Sequence, residues 1–307
     1  MACLFVEQLT VLDFSRLDRA RGLVGESWIV DLELEGDLDE QSMVLDFSAV
    51  KRLAREAVEE VADHKLLVPT RCGWLEIEEY TASEELRIEA PAAGLRLRCP
   101  AVAVCRLDSP EITMPVLRAV LAERVAAEMP GNVREARIAL REERVQGAYY
   151  HYSHGLKRHE GNCQRIAHGH RSRIEIYTGG LRNDHWERYW ADRWRDIYLG
   201  SEEDVVAETS LGDRPALRFA YRARQGEFEL ELWRERCELV PADTTVECLA
   251  SYIATELARL DPGADFRVRA YEGVQKGAVA ESRTARVAEG NPSGNSRVLE
   301  MAGRGPK

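Results

Sequence analysis

Apolar and polar positions in this chain alternate in some stretches and recur at helical spacing in others. Between Ser27 and Glu35, Trp28, Val30, Leu32 and Leu34 alternate mainly with polar partners, the pattern of a strand with one wet face. Residues 9–34 therefore read as two strands, closed by Gly36-Asp37. Ser48 is a good N-cap, and Val50, Leu53, Ala54, Ala57, Val58 and Val61 follow at the spacing of one helix face. Residues 74–99 alternate as a hairpin, and a helix over 113–129 has Thr113 as cap, Pro115 in its first turn and Pro130-Gly131 as its stop. A strand at 136–140 completes this first series. The same order then recurs. Strands carry Ile174 and Ile176, and a helix over 183–196 presents Trp186, Tyr189, Trp190 and Trp194 as core or subunit contact. A hairpin over 217–233 turns at Gln225-Gly226, Thr244-Thr245-Val246-Glu247 forms a capping box before a helix burying Leu249, Ile253 and Leu257, and a strand spans 266–272. The pattern predicts an α+β chain with an internal duplication of about 140 residues.

Composition narrows the function classes. The 307 residues have room for two domains. No apolar run approaches the roughly 20 residues of a membrane span, and the N-terminus lacks the basic and apolar regions of a signal peptide. The seven cysteines, at 3, 72, 99, 105, 163, 237 and 248, are scattered and form no C-x-x-C pair, which fits free thiols in a reducing cytoplasm. A net charge of -11 argues against non-specific binding to nucleic acid or to an anionic membrane. An anionic substrate then needs a local basic patch, for which Lys157, Arg158, Arg165, Arg171 and Arg173 are candidates; a solvated edge explains them equally well. Residues 281–307, rich in Gly, Ser, Asn and Arg, read as a disordered tail.

The densest chemistry lies at His151, His154, Cys163, His168 and His170, all within twenty residues. One glycine separates His168 from His170, so on a strand both rings face the same way. If His154 returns from a preceding antiparallel strand, three imidazoles leave a fourth position open, as in a catalytic zinc site. Cys163 held nearby would be a usable base or nucleophile. The bland alternative is a polar surface or a set of satisfied core histidines. Asp63-His64, at the end of the first helix, could be an oriented acid-base pair or simply a polar helix end.

These residues carry a resemblance. The early His154, then Cys163, His168-Gly169-His170, Met43-Val44-Leu45-Asp46-Phe47, Asp63-His64 with Leu67, and Val268-Arg269-Ala270-Tyr271-Glu272-Gly273 resemble the 6-pyruvoyltetrahydropterin synthase and 6-carboxytetrahydropterin synthase family. The chain looks like two fused copies over about 9–280. The resemblance implies two tandem tunnelling-fold domains, each an antiparallel four-stranded sheet with two helices plus an extra hairpin. The first spans 1–143 and the second, zinc-binding, 144–280. By resemblance Zn2+ falls on His154, His168 and His170, and catalysis on Cys163, Asp63 and His64. Glu272 would hold the pterin's paired N–H edge, with Arg165, Thr244 and Thr245 as further substrate contacts; capping the helix is the other role open to the threonines.

The copies look complementary. In the first, Asp18, Val24 and Glu26 are expected at the zinc positions and Leu140 at that of the pterin glutamate; in the second, Asp196-Ile197-Tyr198 is expected where Asp63-His64-Lys65 stands. Family sites form between subunits, so each pair of halves would keep one complete site. The implied reaction converts 7,8-dihydroneopterin triphosphate to 6-carboxytetrahydropterin, for queuosine-type deazapurine synthesis, in a cytoplasmic homo-oligomer that three chains could complete. A 6-pyruvoyl product, another zinc enzyme acting on a pterin or purine, and a non-catalytic pterin-binding or scaffold protein are the alternatives.

Overall fold

The computed structural model describes residues 2–283. Its first half runs β1 (Ala2–Asp18), β2 (Gly22–Gly36), α1 (Phe47–Ala62), β3 (Leu66–Pro69), β4 (Glu76–Tyr80), β5 (Glu85–Ala90), β6 (Leu95–Pro100), β7 (Val104–Leu107), α2 (Met114–Glu128) and β8 (Val133–Glu142). The second runs β9 (Tyr149–His154), β10 (His168–Thr178), β11 (Leu181–Arg182), α3 (Asp184–Arg193), β12 (Ile197–Ser201), β13 (Val205–Leu211), β14 (Arg214–Ala223), β15 (Gly226–Trp233), β16 (Cys237–Val240), α4 (Val246–Leu260), β17 (Phe266–Tyr271) and β18 (Gly277–Ser282).

The strands form sheets ordered β7-β3-β1-β2-β8 and β16-β12-β9-β10-β17-β18, with β11 paired to β10. Element for element, the first order recurs within the second. Each has an antiparallel centre, β1-β2-β8 or β9-β10-β17, and a parallel flank, β3-β7 or β12-β16. The expected four-stranded antiparallel sheet is thus larger and mixed, because short strands leaving the two hairpin regions pair with it. The hairpin regions lie in one further sheet, β13-β14-β15-β6-β5-β4, in which β6 and β15 pair across the halves with Leu97 opposite Leu230. That joint is invisible to periodicity, which says which face is buried but not what pairs with an edge.

Three cores follow. α1 and α2 lay Val50, Ala54, Val58, Leu117, Leu121 and Val125 on Phe14, Trp28, Val30 and Leu32. α3 and α4 lay Trp190, Trp194, Ile253 and Leu257 on Ile174, Ile176 and Val268. The third core mixes both halves, including Ile88, Leu95 and Leu97 with Phe219, Phe228 and Leu230. Local chemistry moves two expected boundaries. α1 is capped by Asp46 rather than Ser48, since Asp46 is extended and its carboxylate accepts from the Ser48 and Ala49 N–H groups. The tail expected from 281 begins later: Glu281 and Ser282 pair with Arg267 and Phe266 in β17, and residues 284–307 lie outside the described residues. Among the described residues no helix is long and apolar enough to cross a membrane.

Candidate metal centre and acid-base pair

β9 and β10 are antiparallel with His154 opposite His168. The period of two then puts His170 on the same face as His168, and all three rings are buried. Their ligand nitrogens lie within 4.8 Å of one another. Two of the Nδ1 atoms are held from behind. His154 Nδ1 lies 3.0 Å from the Thr244 carbonyl and 3.1 Å from its hydroxyl, and His168 Nδ1 lies 2.9 Å from the Arg165 carbonyl. Nδ1–H donation to a carbonyl leaves Nε2 as the free lone pair. The Nε2 atoms of His154 and His170 face each other at 3.2 Å, and buried His168 Nε2 has no hydrogen-bond partner. Buried polar atoms are rarely orphaned, and a metal ion among these nitrogens would satisfy them together. Burial, reinforced by the neighbouring rings, pushes His154 and His168 well below the ordinary histidine value, which keeps them neutral.

Cys163 lies in the loop between β9 and β10, and its sulfur is within 4.8 Å of ligand nitrogens of His168 and His64. His64 comes from the other half. It follows α1 in the left-handed region at φ 53°, unusual for a residue with a side chain. Its N–H donates to the Asp13 carbonyl at 2.7 Å, while Asp63 Oδ1 accepts from the Asp13 N–H at 3.0 Å. Asp63 Oδ2 meets His64 Nδ1 at 2.5 Å, and the His64 and His168 ring centroids are 5.1 Å apart. Burial opposes a charge on His64, but Asp63 and Cys163 outweigh it and raise the ring to about 10.

Glu272 follows β17, with one carboxylate oxygen 4.0 Å from His170 Nε2 and the other 4.0 Å from Lys276 Nζ. Asp13, fully buried, completes the group. Its Oδ1 accepts from Ser27 Oγ at 2.5 Å and lies 3.2 Å from His170 Nδ1, and its Oδ2 lies 3.1 Å from Lys276 Nζ. The His170 contact is an ion-pair distance off the line of the ring N–H, so Nδ1 makes no hydrogen bond. Burial alone would raise the Asp13 carboxyl, but His170, Lys276 and Ser27 hold it well below the carboxylate range. Sequence reasoning missed Asp13 and Lys276, which carry no motif and matter only through their neighbours.

A family model described as 6-pyruvoyl tetrahydropterin synthase matches residues 15–152. Over those residues the chain is similar to this family. Two relatives provisionally named 6-carboxy-5,6,7,8-tetrahydropterin synthase are similar to it over 133 residues, 43% of this chain and 76% of each relative. The one from Pyrococcus abyssi is 27% identical and the one from Pyrococcus horikoshii 24%. Solved structures of 6-pyruvoyltetrahydropterin synthase from Plasmodium vivax and Plasmodium falciparum match with TM-scores of 0.39 and 0.38 at 20% and 17% identity, each covering 47% of this chain and 93% of the other. The family match ends at Tyr152, before His154, so the histidine cluster lies beyond it.

Within the half that the family model matches, strand register identifies the counterparts of the cluster. Arg16 stands opposite Val24 as His154 stands opposite His168, so Arg16, Val24 and Glu26 correspond to the three histidines, and Asp18 is not one of them. Arg16 Nε donates to Glu26 at 2.9 Å, an ion pair where the second half has its three histidines. Val30 opposite Leu140 matches Ile174 opposite Ala270, which moves the counterpart of Glu272 from Leu140 to Glu142. His64 and Asp196 share the left-handed conformation, at φ 53° and 54°, so Asp196 matches His64 rather than Asp63.

The remaining expected residues sit behind the site or away from it. Thr244 is buried against His154, and the Thr245 hydroxyl accepts from the Cys248 N–H as the cap of α4. Arg165 is buried and donates to Gln225 and to the Asp63 and His64 carbonyls at 3.0, 3.3 and 3.4 Å. The other four residues of the basic patch are paired with carboxylates: Lys157 with Glu203 and Asp204, Arg158 with Glu203 and Asp243, and Arg171 and Arg173 with Glu142 and Glu143.

Proposed function

We propose that the chain is two fused tunnelling-fold units forming a zinc-dependent 6-carboxytetrahydropterin synthase with a composite site. The carrying observation is that Asp63-His64 of one half meets Cys163 and the three histidines of the other. The provisional name of the archaeal relatives supports the carboxy product. The substrate is 7,8-dihydroneopterin triphosphate, and its conversion with water releases triphosphate and acetaldehyde.

His154, His168 and His170 would hold the zinc, which supplies Lewis-acid polarisation of the substrate's side-chain oxygens. Glu272 anchors the pterin through its paired N–H donors. His64, charged through its contact with Asp63, donates a proton from Nε2, and Cys163 as thiolate accepts one on the side facing His168. The histidine rings are buried, with the Tyr152 ring beside His154 and His170. Arg165 and Thr244 act behind this group, one fixing the Asp63-His64 carbonyls and the other the His154 tautomer. Three such chains joined through their open sheet edges would give the cytoplasmic assembly expected for queuosine-type synthesis.

The test incubates zinc-loaded protein with 7,8-dihydroneopterin triphosphate and identifies the products by mass. Carboxypterin with acetaldehyde is expected; a pyruvoyl product reassigns the reaction, and absence of turnover with zinc bound rejects the substrate. Cys163→Ala and His64→Ala should each lower kcat by about 10²–10⁴-fold while zinc stays bound. Undiminished turnover in either variant would overturn the composite mechanism.

A further inference from the structure

We infer that Asp13 is a positioning residue that ties the metal centre to the acid-base pair across the two halves. This rests on the metal reading of the histidine cluster and goes beyond it, since Asp13 belongs to β1 of the half that has lost the ligands.

Asp13 reaches both parts of the site with different atoms. Its main chain holds the Asp63-His64 turn, the N–H donating to Asp63 Oδ1 at 3.0 Å and the carbonyl accepting the His64 N–H at 2.7 Å. Its side chain points the other way, toward His170 Nδ1 at 3.2 Å. Ser27 on β2 and Lys276 beyond β17 aim that carboxylate from two directions, at 2.5 and 3.1 Å. A buried carboxylate behind a ligating imidazole fixes the ring's tautomer and orientation and raises its basicity as a ligand. The other two histidines already have carbonyls behind their Nδ1 atoms; His170 has only Asp13. Three neutral imidazoles also bring no negative charge to a dication, and Asp13 supplies one next to the cluster.

The contact between Asp13 and His170 makes metal affinity depend on the junction between halves, because β1 and β10 belong to different sheets.

The experiment uses the full chain and the metal alone. Zinc affinity is measured by competition with a chromophoric chelator, and the ligand field is read from the visible spectrum of the cobalt(II)-substituted protein. Asp13→Asn keeps the backbone bonds to Asp63 and His64 and removes the charge. It should weaken zinc by about 10–100-fold and shift the cobalt bands, which a merely structural residue would not do. Ser27→Ala, a milder change, should shift both readouts in the same direction by less, and covers the case in which Asp13→Asn does not fold. Wild-type affinity and spectrum in the folded variants would overturn the role of Asp13 while leaving the metal centre standing. A wild-type chain that binds no zinc would remove the metal reading itself, and the inference with it.

Discussion

His64 and the buried histidines push the pH dependence of stability in opposite directions. His64 is raised from 6.5 to about 10, so the folded state holds a proton that the unfolded chain releases between those values. Its contribution is fully present below 6.5 and is lost as pH rises through about 10. His154 and His168 are lowered from 6.5, so the unfolded chain binds the extra protons and stability falls as pH drops below that value. Urea midpoints of the metal-free protein across pH should therefore show an acid limb and an alkaline limb. His64→Gln should flatten the alkaline limb and leave the acid one; an unchanged alkaline limb would show that His64 is not charged in the folded state. Cys163, His168 and His170 were legible as chemistry from their spacing. Asp13 was not, because a lone aspartate in a strand has no signature until its neighbours are known.

At the level of elements, the two strand pairs β1-β2 and β9-β10 meet through glycine. A Cβ on Gly25 would overlap the Tyr152 carbonyl and lie 2.5 Å from the His170 N, and one on Gly169 would lie 2.8 Å from the Gly25 Cα. Ser15 Oγ and Ser153 Oγ, on equivalent strands, hydrogen-bond at 2.7 Å across the same contact. Neither backbone can give way without moving a sheet, so Gly25→Ala should cost about 1–3 kcal/mol. It should also separate His64 from the cluster. The check is a urea midpoint together with zinc affinity: a drop in both is expected, and wild-type values would show that the sheets tolerate the wider spacing. Alternation predicted β2, helical spacing predicted α1, and cap and stop residues predicted α2 and α4. What alternation cannot supply is which glycine faces another backbone, since a missing side chain looks the same toward solvent as toward a sheet.

For the whole molecule, the shared sheet and the mixed core couple the halves. β6 pairs with β15, and Leu97 and Leu230 sit in a core built from both sides. The metal-free chain should unfold in a single transition seen alike by circular dichroism and tryptophan fluorescence. Two separated transitions would mean that the halves fold on their own. Leu230→Ala should destabilise that single transition by about 2–5 kcal/mol and lower turnover, although Leu230 touches none of the reacting groups.

The sequence by itself determined the α+β class, the repeated element order, the histidine cluster and the family resemblance, because each rests on local periodicity or on residues close together in the chain. It also placed Asp63-His64 at a helix end, but nothing in a linear pattern brings position 64 beside position 163. Only the tertiary structure decided that these meet, that Arg16 and Glu26 fill the counterpart of the histidine cluster, and that Asp13 touches both parts. Those outcomes depend on strand register and on contacts across sheets, where a shift of one residue turns every side chain to the opposite face.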